Sequence, residues 1–234
     1  VQTITLGFDK PIGTDELIGF AYSIGQDDVN IGTDSTNVKS KNFSLSNYTV
    51  FKPSGDAIIE SVFGLGSLNF DTTRTDGSDT LTGTREASQL FFSSIVRPQN
   101  NINLGSWQLS PYSKISLANT RLHNFSESGA LTALTFNKQE IRDTSMGIGI
   151  DINAQIIKNT RTIKPFAKLE YARSSSKTSA SMHYNIEDAS IHSYTTSLNK
   201  KTNNWKMKLG LDLNTKSGWD MSVGYMRELS IGSS

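Results

Sequence analysis

The stretch "WKMKLGLDLNTKSGWDMSVGY", residues 205–225, carries the clearest period of two in the chain. Trp205, Met207, Leu209, Leu211 and Leu213 are apolar, and Lys206, Lys208, Gly210, Asp212 and Asn214 between them are not. Successive side chains of a strand point to opposite faces, so this pattern predicts a strand with one apolar and one polar face. After the turn-like Thr215-Lys216-Ser217-Gly218 the alternation resumes with Trp219, Met221, Val223 and Tyr225 against Asp220, Ser222 and Gly224. Two such runs around a short turn predict an antiparallel hairpin. Whether its apolar face meets a protein core or lipid decides the fold class.

Composition narrows the choice. Of 234 residues only 35% are hydrophobic and 9% aromatic, with 18 glycines, a lean supply for a globular core of this size. Formal charge is +1 with no basic run, so nucleic acid is not an expected partner. No segment approaches the roughly 20 apolar residues of a transmembrane helix, and "VQTITLGFDK" has neither region of a signal peptide. The chain is therefore expected to start mid-protein or as a trimmed product. With no cysteine, disulfides and thiolate metal sites are excluded. His123, His183 and His192 stand in polar stretches at no ligand-like spacing, so neither metal nor other cofactor is expected.

Alternation predicts about ten strands. They cover residues 3–9, 16–25, 39–51, 57–70, 85–96, 107–120, 146–152, 162–173, 205–214 and 219–229, the fifth with an ambiguous register at Leu90-Phe91-Phe92. Connections alternate in length. Short turns at Pro11, Lys52, Lys158 and Thr215, with a middling one at Arg97, interleave with long polar stretches at 26–38, 71–84, 122–141 and 174–190, which are expected to be loops. An up-and-down meander with tight turns at one end and long loops at the other is the pattern of outer-membrane barrels. Several strands reach the roughly 9 to 11 residues of a tilted membrane-crossing strand. Phe51, Phe70, Trp107, Trp205, Trp219 and Tyr225 are expected at strand ends, as interfacial girdles. The apolar face is thus expected against lipid: an all-β, antiparallel up-and-down transmembrane β-barrel. Ile148, Ile150, Leu209 and Leu211 should point outward, and Gly147, Gly149, Lys208 and Gly210 inward.

The segment "SWQLSPYSKISLANTRLHNFSESGALTALTF" resembles the central signature of the autotransporter β-domain, the translocator of type V secretion. The signature residues are Trp107, Pro111 and Tyr112, followed by Phe125, Glu127 and Gly129. "TITLGFDKPIGTDELIGFAYSIGQDD", "SMGIGIDINAQI" and "TIKPFAKLEYAR" extend the resemblance over nearly the whole chain. It implies a barrel that anchors in outer-membrane lipid of a Gram-negative bacterium, is inserted by the barrel-assembly machinery and exports its own N-terminal passenger. Family barrels have twelve strands and usually end in an aromatic residue, whereas this chain ends "GYMRELSIGSS". Strand-by-strand matching places 3–9 as the family's second strand and 219–229 as its eleventh. Residues 1–234 are therefore expected to be one translocator barrel domain, a fragment of a longer precursor or an atypical member, with about ten of twelve strands present.

If the polar face lines a lumen, Lys114, Asp151, Lys168, Glu170, Lys206, Lys208, Asp212 and Asp220 line it, with Asp9, Glu228 and Glu60. Mixed signs predict a hydrated interior without strong ion preference. On a soluble sheet the same residues would face solvent. "DGSDTLTG" from Asp76 is a single copy of a calcium-type nonapeptide, which needs stacked repeats to complete its oxygen shell. No Gly-x-Ser-x-Gly elbow or Ser/His/Asp set is present, so no enzyme activity is expected. Two alternatives remain open: a small passive porin-like barrel and a soluble β-sandwich binding module. Strand parity places both termini at the long-loop end.

Overall fold

The computed structural model describes residues 2–31, 36–53, 56–77, 79–158, 161–185, 191–215 and 220–233. Among them the strands are β1 (Gln2–Ile12), β2 (Glu16–Ile31), β3 (Thr36–Phe51), β4 (Ala57–Asp76), β5 (Asp79–Pro98), β6 (Ile102–Leu104) and β7 (Trp107–Leu122). There follow β8 (Phe125–Ser126), β9 (Leu134–Phe136), β10 (Gln139–Ala154), β11 (Ile156–Lys158), β12 (Arg161–Asn185), β13 (Ile191–Thr215) and β14 (Asp220–Ser233). One antiparallel sheet runs β1-β2-β3-β4-β5-β7-β10-β12-β13-β14, the ten strands expected from alternation. The four short ones lie off this path. β1 and β14 each have one neighbour, so the sheet has two open edges.

Register follows the pleat. Ile148 lies opposite Ser113 and Tyr171, and Leu209 opposite Ala167 and Tyr225, all on one face. Gly147 and Gly149 share the other face with Lys114, Tyr112 and Glu170. The first face is exposed: Leu6 is 71% and Ile148 63% accessible, and Ile4, Phe8, Leu65 and Val223 are similar. The second is sheltered, with Tyr112, Ala172, Ser110 and Glu170 all buried. A soluble monomer rarely exposes contiguous apolar surface on this scale. In β5, Phe91 joins the sheltered face opposite Gly64, while Leu90 and Phe92 join the exposed one.

Three expectations change. The stretches 26–38, 71–84 and 174–190 are for the most part not loops: β2–β3, β4–β5 and β12–β13 carry their ladders through them, to Ile31↔Thr36, Asp76↔Asp79 and Asn185↔Ile191. Their Thr, Ser, Asn and Lys side chains suit a solvated strand, but with polar residues on both faces the period of two disappears. Phe70 shares the sheltered face with Gly66 and Ser40, so it belongs to no outward girdle, and Trp205 and Tyr225 fall inside long strands and not at their ends. The connection after Arg97 contains β6, which pairs with β7 around a turn in which Gly105 has φ 60°. Trp219, residues 216–218 of the expected turn at Thr215, residues 159–160 and residues 186–190 lie outside the described residues. Gln2 lies opposite Gln26 and Ser233 opposite Lys201, so β1 begins and β14 finishes toward the long hairpins, as parity expects.

Candidate functional site

The sheltered face carries one connected polar network across five adjacent strands. Arg97 of β5 reaches Glu60 of β4, with Nε 3.0 Å from Oε1, and Asp151 of β10, with Nη1 3.2 Å from Oδ2. Asp151 also pairs with Lys168 of β12 at 3.5 Å. The Lys168 ammonium sits 4.4 Å from the ring centroid of Tyr112 on β7, within cation–π range. The Tyr112 hydroxyl donates to Glu170 Oε2 at 2.7 Å, and Lys114 approaches the other oxygen of Glu170 at 3.8 Å. Glu60, Asp151 and Glu170 thus face Arg97, Lys114 and Lys168: three anions against three cations. Such a surface is well hydrated and polar yet carries little net field.

Aromatic rings stand over glycines on the same face. A Cβ added at Gly149 would lie 2.3 Å from the Tyr112 ring, at Gly19 2.2 Å from Tyr48, at Gly64 2.3 Å from Phe91 and at Gly210 2.2 Å from Phe166. Each glycine leaves the space into which a neighbouring ring lies flat. Tyr48 then reaches Asp9 on β1 with a 2.8 Å hydrogen bond.

The structure brings Lys114, Asp151, Lys168 and Glu170 together. Lys206, Lys208 and Asp212 share the face but form none of its ion pairs: Lys208 lies over the Phe166 ring at 5.1 Å, and Asp212 accepts from Ser222 at 2.6 Å. Backbone register puts Asp220 opposite Asn214, with its side chain outside the described set. Arg97, which alternation assigns to the start of a connection, lies in β5 and joins this network. Its parity with Ser93 and Ile95 in an extended β5 was the available signal.

The signature residues fall into two groups. Trp107 opens β7 after the Gly105 turn, and Pro111 lies between the ladder to β5, which stops at Ser113, and that to β6, which begins at Leu109. A missing donor is tolerated in such a gap. Phe125, Glu127 and Gly129 belong to the segment between β7 and β10, which folds back over β4 and β5. Arg74 of β4 grips the Glu127 carboxylate through Nε at 3.2 Å and Nη2 at 2.7 Å, and the Glu127 carboxylate accepts from the Leu134 amide at 3.1 Å. This pairing holds the Arg74 guanidinium above its ordinary pKa. Phe125 stacks on Phe136 with centroids 4.7 Å apart and lies beneath the Arg85 guanidinium. Arg85 donates to the His123 and Asn137 carbonyls at 2.8 and 2.9 Å. Gly129, at φ 119°, passes against the Thr80 carbonyl where no Cβ fits, while Ser128 and Thr82 exchange backbone hydrogen bonds. β8 pairs with β9 and β9 with β12, so the segment continues the wall from β5 to β12 where β7 and β10 stop short.

The autotransporter β-domain family model matches residues 1–226. The chain belongs to that family. This autotransporter β-domain is a β-barrel-type translocator of type V secretion. Its fold is similar to the translocator domain of the autotransporter NalP from Neisseria meningitidis, with TM-score 0.64 at 11% identity over 98% of this chain and 79% of that one. It is also similar to the β-domain of the Bordetella autotransporter BrkA, with TM-score 0.69 at 13% identity over 98% and 83%. No curated protein sequence matches it significantly.

Proposed function

We propose that this β-domain sits in the outer membrane of a Gram-negative bacterium, its exposed face against lipid and its sheltered face lining a hydrated passage for an N-terminal passenger. The observation that carries this reading is the division of one sheet into an exposed apolar face and a sheltered face of balanced charge. In lipid every backbone polar group needs a partner, so the open edges of β1 and β14 must be paired in the working barrel. Insertion of such a barrel is assigned to the barrel-assembly machinery. The passage works as a conduit: a face whose anions and cations already answer one another offers an extended polar chain hydrogen-bonding groups without a strong electrostatic trap. No catalytic step of its own is assigned to the domain.

A reporter fused upstream of this domain in the full-length protein tests the reading. The expected result is a reporter cleaved by protease added to intact cells. A barrel that inserts while its reporter stays protected inside the envelope would overturn export and leave the passive porin.

A further inference from the structure

We infer that the exposed face of β7, β10, β12 and β13, just past its apolar residues toward the long hairpins, binds the anionic phosphate of lipid headgroups. This rests on the membrane reading above. On all four strands the exposed side chains pass from apolar to basic in that direction: Leu117 to Arg121, Met146 to Arg142, Tyr171 to Arg173 and Lys177, Trp205 to Lys201. Arg142 and Lys177 are direct cross-strand partners on the same face. Like charges so placed destabilise a sheet; Glu140 answers Arg142, which leaves Lys177 as the charge of this pair that a bound anion would meet. Among the described residues Glu140 is the one carboxylate on the exposed face of these four strands, and it is occupied by Arg142 at 3.1 and 3.2 Å and by Asn119 at 2.8 Å, while Glu86 of the neighbouring β5 lies beside His123 at 3.8 Å. Arg173, Lys177 and Lys201 form no ion pair among the described residues and face no carboxylate across the ladder, whereas Arg121 lies opposite Glu140.

The other half of the sheet differs. There the two exposed lysines of β3 differ in surroundings from the patch: Lys39 lies opposite Asp28 on one side and Asp71 on the other, and Lys41, which lies opposite Gln26 and Asn69, is one step along the same face from that carboxylate pair. The basic patch is therefore local to one sector. Because it adjoins apolar side chains on the same face, the ligand that satisfies both must be anionic at one end and apolar at the other. A phosphate-bearing lipid has that form, with guanidinium and ammonium donors matched to its oxygens.

The test is native mass spectrometry of the full-length protein in detergent doped with phosphatidylglycerol or phosphatidylcholine. Phosphatidylglycerol should be retained over phosphatidylcholine, and the double substitution Arg142→Gln with Lys177→Gln should weaken retention about tenfold. Glu140→Gln should strengthen it, and Lys39→Gln with Lys41→Gln should leave it unchanged. Equal retention of both lipids, an unaffected double variant, or displacement by millimolar inorganic phosphate would overturn the lipid site. A protein that stays soluble without detergent would instead sink the membrane reading itself.

Discussion

At the scale of single residues, Gly149 and Tyr112 show how the sheltered face is built. The ring occupies the volume a Cβ at Gly149 would take, and from there its hydroxyl reaches Glu170. Gly149→Val must push the ring off its seat and break that bond. The expected cost is about 1 to 3 kcal/mol, the usual penalty for overpacking, read as a lower denaturant midpoint of the full-length protein. Gly66→Ala is the control, since nothing lies nearer than 3.5 Å to a Cβ there. If the two variants unfold at the same midpoint, the ring's seat on Gly149 contributes nothing.

At the scale of elements, the segment between β7 and β10 is held as a latch by Glu127. Its side chain is 6% exposed and is gripped by Arg74 on a different hairpin. Removing it strips two charge-assisted hydrogen bonds from Arg74 and one from the Leu134 amide. Glu127→Ala is expected to loosen the segment locally by about 1 to 3 kcal/mol, seen as new protease cleavage within residues 123–138. Arg74→Ala combined with Glu127→Ala should cost less than the sum of the two, because both remove the same pair. Additive effects, or cleavage at the β12–β13 hairpin instead, would show that the segment is held by something else.

At the scale of the whole molecule, a single-layer sheet with few buried side chains leaves its apolar face to a second medium. Ile148 is among the most exposed residues of that face. Ile148→Arg is expected to destabilise the inserted barrel by about 2 to 4 kcal/mol if the residue lies near the midplane. The measurement is denaturant titration of the refolded full-length protein in lipid vesicles. Wild-type stability of that variant would mean that Ile148 does not contact the hydrocarbon.

The ten long strands and the face of nearly every residue in their apolar parts are legible in the amino-acid order, because the pleat ties parity to face and an apolar residue every second position reveals it. Lys114, Asp151, Lys168 and Glu170 were legible as sharing a face for the same reason. Hairpin lengths were not, since the solvated ladders beyond Gln26, Asp71 and Ser174 have polar residues on both sides and lose the period that marks a strand. Nor were the partnerships: Arg97 joins residues 37 and 54 positions away only because register sets Ile58 opposite Arg97 and Gly149 opposite Tyr112. Which charges meet across five strands, and which ring fills the space above which glycine, depends on register and curvature, and these are properties of the assembled sheet and of no single strand.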